Sequence, residues 1–128
     1  TEAEWEKAAR GTDGRTYPWG ETLDNTYANY DGKDLAKVGS YEKGKSPYGA
    51  YDMAGNVLEW VSSQPFDYPY SATDGRENLT TTGEREMRGG AWYTPELNTS
   101  VITFLRVHLP SIASGDWLGF RCASRTAP

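Results

Sequence analysis

Cysteine is almost missing from this sequence: Cys122 is the only one in 128 residues. No internal disulfide can staple the chain, and a lone thiol within "GFRCA" reads as a small buried apolar residue. Histidine is equally scarce, with His108 alone in "RVHLP". Iron sites built on imidazole and carboxylate need clusters of ligands, so His108 reads as structural. Positive charge is in deficit, Lys+Arg 13 against Asp+Glu 18, for a net charge of -5. Without a basic stripe to neutralise phosphates, nucleic acid is excluded as the main partner. The acidity then serves solubility or cation binding, depending on where the carboxylates sit. Apolar residues make up 37% and the mean hydropathy is -0.74. No run approaches the about 18 apolar residues of a membrane span. Neither a glycine-rich phosphate loop nor a G-x-S-x-G elbow is present.

What the chain does have is rings and turns. Five Trp and nine Tyr stand beside three Phe, so many core rings carry a polar group that needs a partner when buried. Fourteen Gly and seven Pro predict a loop-rich α+β domain without long regular elements. Thr1 and Glu4 have capping-box spacing. Trp5, Ala8 and Ala9 share one face, and Gly11 follows Arg10, which predicts a helix over about residues 2–10. Residues 11–50 read as a long ordered loop region, with "AKVGSY" as a short strand. The segments "REMRGGAWYT" and "WLGFRCAS" read as strands, and "SVITFLRVHL", β-branched at its start, as a buried strand between them. No linker or internal repeat divides residues 1–128.

The most informative stretch is Asp52-Met53-Ala54-Gly55-Asn56-Val57-Leu58-Glu59-Trp60. Two carboxylates flank a glycine turn. Calcium takes six to eight oxygens, combining carboxylates with carbonyls that a tight turn can aim. The alternative is that Asp52 and Glu59 only orient a turn, with Met53 and Trp60 as core.

Taken in order, "TEAEWEKAARG", "YPWG", "YGAYDMAGNVLEWVSS", "RGGAW" and "GFRCA" resemble the C-terminal portion of the formylglycine-generating enzyme / sulfatase-modifying factor family. The resemblance implies a C-type lectin-like fold. It also implies a calcium ion on Asp52 and Glu59 side chains and Gly55 and Val57 carbonyls, and a second site at Asn29, Tyr30 and Asp31. An Asx-rich solvated turn is the competing account of the latter. The family pattern carries a further segment ahead of "TEAEWE". The resemblance therefore implies a piece of a longer domain, a slimmed fold, or a core completed by another chain.

The family's oxidases bind copper through two thiolates after their Arg-Gly-Gly-Ser motif. Here Ala91 replaces the serine, Thr94 and Thr99 stand at the cysteine positions, and Leu58 replaces a tryptophan. Threonine cannot serve a soft Cu(I) ion as a thiolate does, so cysteine-to-formylglycine chemistry is not expected. Other members of the family are diversified binding proteins, in which a retroelement varies surface residues between the "RGG" and "GFR" motifs. Residues 93–117 depart most from the family text, while both flanks are intact. Tyr93, Glu96, Asn98, Asp116 and Trp117 are thus the candidate contacts for a protein or glycan ligand, combining rigid rings with short polar groups. Val101, Ile102, Phe104 and Leu105 are assigned to the core strand. The alternative function is an enzyme of this family, or an inactive paralogue of one, with catalytic residues outside this chain.

Overall fold

The computed structural model describes residues 1–93 and 101–124. Helix α1, Glu2–Arg10, forms as the capping box predicts. The Thr1 hydroxyl accepts from the Glu4 N–H while the Glu4 side chain reaches back to the N-cap, and Gly11 ends the helix at φ 73°. Trp5 and Ala9 are buried against Met53.

Strand β1 (Leu58–Trp60) lies between β2 (Glu84–Arg88) and β4 (Leu118–Gly119), and β3 (Val107–Pro110) completes the order β3-β2-β1-β4. β2 is antiparallel to both β1 and β3, whereas β4 runs parallel to β1. The remaining described residues are turns and irregular segments, apart from a 3-10 turn at Glu42–Gly44. No helix among the described residues is long and apolar enough to cross a membrane.

Three sequence expectations are corrected. "AKVGSY" is not a strand: this segment runs as turns, held by side chains from residues 52–56. The segment at 101–105 is not part of a strand, because Val101 and Thr103 turn inward while Phe104 is 42% exposed. Its strand begins only at Val107. Cys122 is exposed rather than buried.

With so little apolar material, the interior is filled partly by paired charge. Arg76, Arg88, Glu2 and Glu86 are each at most 1% exposed. Glu2, in the first turn of α1, is the hub. Its carboxylate faces Arg76 at 2.8 Å, Arg106 at 2.9 Å and Arg88 at 3.4 Å. Each guanidinium has a second acid, Asp74, Glu86 and Glu6 respectively. Buried charges persist only when paired and hydrogen-bonded in this way.

Candidate functional site

One glycine and two left-handed Asx residues shape the turn that organises the site. Gly55 has φ 74°, and Asp52 and Asn56 have φ 53° and 66°. Asx residues tolerate this region better than most side chains. The Gly55 N–H donates to Gly89 O at 2.6 Å, and the Asn56 N–H donates to Asn29 O at 2.7 Å. The Asn56 side chain then clasps Ala36 from both sides, accepting its N–H at 2.9 Å and donating to its carbonyl at 3.2 Å. The Asn29 side-chain nitrogen donates to Asp34 O and Asn56 Oδ1. Asp52 Oδ2 accepts from the Gly39 N–H at 2.7 Å. The loop at 29–39 is therefore laced to the 52–56 turn by direct amide and carboxylate bonds.

From this turn the chain positions an aromatic platform. The Trp92 N–H donates to Asn56 O at 3.0 Å, and Trp92 O accepts from the Gly32 N–H at 2.9 Å. Tyr93 forms an isolated antiparallel bridge with Asp31. The Tyr93 ring meets Trp92 edge-on at 5.0 Å and Trp117 edge-on at 6.3 Å. Tyr93 is 43% exposed, whereas Trp117 rests against the cluster of Leu58, Met87 and Ala91. Its carbonyl accepts from the Leu58 N–H at 2.9 Å, so one ring of the pair is anchored and the other faces solvent.

The structure thus brings Asp31, Tyr93 and Trp117 together, with exposed Asp116 beside Trp117 in the chain. Glu96 and Asn98 lie outside the described residues, as do Thr94 and Thr99. Tyr30 is buried with Tyr17, Ala28, Ala54 and Val101, and burial pushes its phenol above the usual range. The sequence reading missed the part that Trp92 plays in the platform. Its only sequence signal is that Trp92 closes the "RGGAW" motif directly before Tyr93.

At the far end of this turn, the Glu59 carboxylate is held by two neighbouring side chains. Trp5 Nε1 and Arg121 Nε both donate to Glu59 Oε2 at 2.6 Å, and Arg121 Nη2 donates to Oε1 at 2.5 Å. Both carboxylate oxygens are engaged, and the neighbour is itself a cation. Val57 packs its side chain against Gly119, where an added Cβ would stand 2.9 Å from Val57 Cγ2. Among the described residues, no three His, Cys, Asp or Glu side chains are grouped to hold a metal ion.

A concavity of about 630 Å³ runs beside α1 between Glu6, Lys7 and Arg10 on one side and Tyr68 and Tyr70 on the other. Its Glu6 is paired with Arg10 and Arg88, and Tyr70 donates its hydroxyl to Glu77. No sequence motif pointed to it.

Several known proteins are similar to this chain in sequence or fold. The chain matches the sulfatase-modifying factor enzyme 1-like domain over residues 1–126. It is 36% identical to the serine/threonine-protein kinase pkn1 of Chlamydia caviae, over 96% of this chain and 20% of that protein. It is 37% identical to the inactive C-alpha-formylglycine-generating enzyme 2 of Bos taurus, over 97% and 42%. It is 41% identical to the hercynine oxygenase of Mycobacterium tuberculosis, over 72% and 24%. The chain therefore spans less than half the length of each of these relatives. Among solved structures, PvdO from Pseudomonas aeruginosa superposes with a TM-score of 0.74 at 27% identity, over 94% of this chain and 49% of that one. The Treponema denticola variable protein 1 superposes equally, with a TM-score of 0.74 at 29% identity, over 94% and 44%. The α+β fold is thus the C-type lectin-like fold of these proteins, and the chain belongs to the sulfatase-modifying factor enzyme 1-like domain family.

Proposed function

We propose that this domain is a ligand-binding module on a formylglycine-generating-enzyme-like scaffold, and that Tyr93 and Trp117 are its anchors for a protein or glycan. The observation that carries this reading is the edge-to-face pair itself: one ring solvent-facing, the other packed on the sheet. Rigid aromatics of this kind contribute contact area with little loss of side-chain freedom, and they dominate many interfaces. The likeness to a variable protein supports the reading.

Tyr93→Ala is expected to weaken binding of any protein or glycan captured by the wild-type domain by at least about thirtyfold, the scale of an interface hot spot. Trp117→Phe keeps a ring on the Leu58 cluster, and should weaken binding less without lowering the melting temperature appreciably. Surface plasmon resonance with melting curves on each variant checks this. Binding that survives Tyr93→Ala but is lost on changing the groove residue Tyr68 would move the site to the groove beside α1.

The relatives that are an inactive paralogue and an oxygenase keep a second reading in play, in which this domain is part of an enzyme whose catalytic residues lie elsewhere. Under either reading, Thr94 and Thr99 cannot act as copper thiolates. The domain, supplied with copper, oxygen and a Cys-x-Pro-x-Arg peptide, is expected to leave the peptide mass unchanged. Conversion of the peptide's cysteine to formylglycine in the mass spectrum would refute this.

A further inference from the structure

We propose that the Tyr93–Trp117 platform takes a cationic side chain, an arginine presented by a partner protein; this rests on reading the platform as the binding surface. The two rings stand almost perpendicular, at 80° with centroids 6.3 Å apart, and Trp92 meets Tyr93 at 65°. Rings set at such angles form a corner, and the face of an aromatic ring attracts a cation. Carboxylates frame this corner. Asp31 and Tyr93 stand opposite each other in an antiparallel bridge, and opposed residues of such a pair project to the same face, about 5 Å apart. Asp116 precedes Trp117 in the turn closed by the Leu118 N–H on Gly115 O at 3.2 Å. Both carboxylates are exposed, and among the described residues neither enters an ion pair.

The rest of the surface shows how this chain treats an exposed ring. Tyr48, Phe66, Tyr68 and Phe104 are each at least 38% exposed. Each lies under a cation of the chain itself, Lys7, Arg76, Arg106 and Arg10 respectively, at 4.6 to 6.0 Å from the ring centre. Among the described residues, Trp92, Tyr93 and Trp117 carry no such cover. Lys33, two residues beyond Asp31, is exposed and lies over none of them. Phe120 is bare as well, yet no second described ring meets it. The segment 94–100 adds Glu96 and no Lys or Arg. The platform is thus a described ring cluster left open with negative charge beside it, and the net charge of -5 favours the approach of a basic partner.

Among cations, a guanidinium suits this set best. It is planar, lies flat on a ring, and keeps N–H donors at its rim for a carboxylate. An ammonium is a compact, strongly hydrated charge that gives up more water on entering an aromatic corner. A neutral sugar stacks on a ring as well, but leaves Asp31 and Asp116 without a counter-charge.

The test titrates the whole chain with end-blocked Gly-Arg-Gly, Gly-Lys-Gly and Gly-citrulline-Gly peptides and with a neutral chitooligosaccharide. NMR reads the indole N–H signals of Trp92 and Trp117. The arginine peptide should move both signals saturably, and the lysine peptide should bind more weakly. Citrulline keeps the shape without the charge, and should bind about tenfold more weakly than arginine. Asp31→Asn and Asp116→Asn, both at exposed positions, should each weaken the arginine peptide by about two- to fivefold with the melting temperature unchanged. That loss should shrink as salt is raised. A citrulline peptide that binds as well as arginine, or arginine binding unmoved by both asparagine changes, would overturn the proposal. So would indole shifts with the oligosaccharide and none with the arginine peptide, an outcome that keeps the platform as the binding surface and makes its ligand a glycan. Signals unmoved by every probe overturn it too, and the effect of Tyr93→Ala on a captured ligand then decides the platform reading by itself.

Discussion

Replacing Glu2 by glutamine is expected to lower the stability of this domain by about 3–5 kcal/mol, the usual result of removing one partner from a buried ion pair. For a domain of this size each kilocalorie moves the midpoint by about 3–5 °C, so the melting temperature should fall by more than about 10 °C. The reason is the number of guanidiniums that share this one carboxylate. Arg76 and Arg106 direct donors at Oε1, while Arg88 and Arg106 face Oε2. A glutamine has about the same shape, but it removes the negative charge and turns an N–H₂ toward groups that are themselves only donors. The second acids cannot compensate, because Glu6 is already shared between Arg88 and Arg10.

Glu86→Gln is the control for this argument. Glu86 is as deeply buried as Glu2, yet its Oε2 has no hydrogen-bond partner. Burial pushes its carboxyl above the usual range, although Arg106 and Arg88 pull it back. A raised carboxyl pKa means that the folded state holds the proton more tightly than the unfolded chain does. The ionised group therefore costs stability at neutral pH, and that cost is relieved as pH falls through the folded value. Glu86→Gln should cost clearly less than Glu2→Gln, because it removes a carboxylate that burial already disfavours and leaves Arg106 paired with Glu2. Denaturant melts of the two variants at neutral pH check both statements. If Glu86→Gln is as damaging as Glu2→Gln, the hub is not Glu2.

Glu2 also illustrates what the sequence could and could not reveal. Its helix was legible, because capping boxes, amphipathic spacing and a terminal glycine act within a few residues of one another. The turn at Gly55 was legible for the same reason. The burial of Glu2 was not, because it depends on Arg76, Arg88 and Arg106, which lie far along the chain and look like ordinary surface charges. The same holds at Glu59. Its spacing from Asp52 was legible, while the arginine that pairs with it lies about sixty residues further along the chain. The misread strands have another cause. β-Branched and apolar residues at 101–105 match strand composition, but Val101 and Thr103 are drawn into the core by different neighbours. Val101 joins the Tyr17 cluster, and Thr103 donates its hydroxyl to Arg15 O and its N–H to Thr16 O. Tertiary packing thus overrides local β preference. Of the platform, Tyr93 and Trp117 were legible as rings in the departing segment. Their contact with each other required the Trp92 and Asn56 backbone pairing to be seen.

Gly55→Ala should be among the most damaging single-methyl additions in this domain, costing more than about 3 kcal/mol. Two effects add. At φ 74° an alanine is strained by about 1 kcal/mol relative to glycine. The larger effect is a collision: a Cβ at this position would stand 2.4 Å from Asn29 O and 2.8 Å from Asn29 C. These are backbone atoms, so no rotamer change can clear them, and crowding of a packed interior costs about 1–3 kcal/mol or more. To make room, Asn29 must retreat, which breaks the 2.7 Å bond from the Asn56 N–H and loosens the clasp on Ala36. The Asn56 carbonyl also accepts from Trp92, so the disturbance reaches the aromatic platform, and ligand binding should weaken along with stability. Gly49 supplies the comparison. It has a similar φ of 80°, but an added Cβ there meets nothing within 4 Å, so Gly49→Ala should cost only about 1 kcal/mol. Thermal melts of the two variants isolate the close approach from the backbone strain. Equal losses at the two positions would mean that the 29–56 contact is not the packed junction on which the site is built.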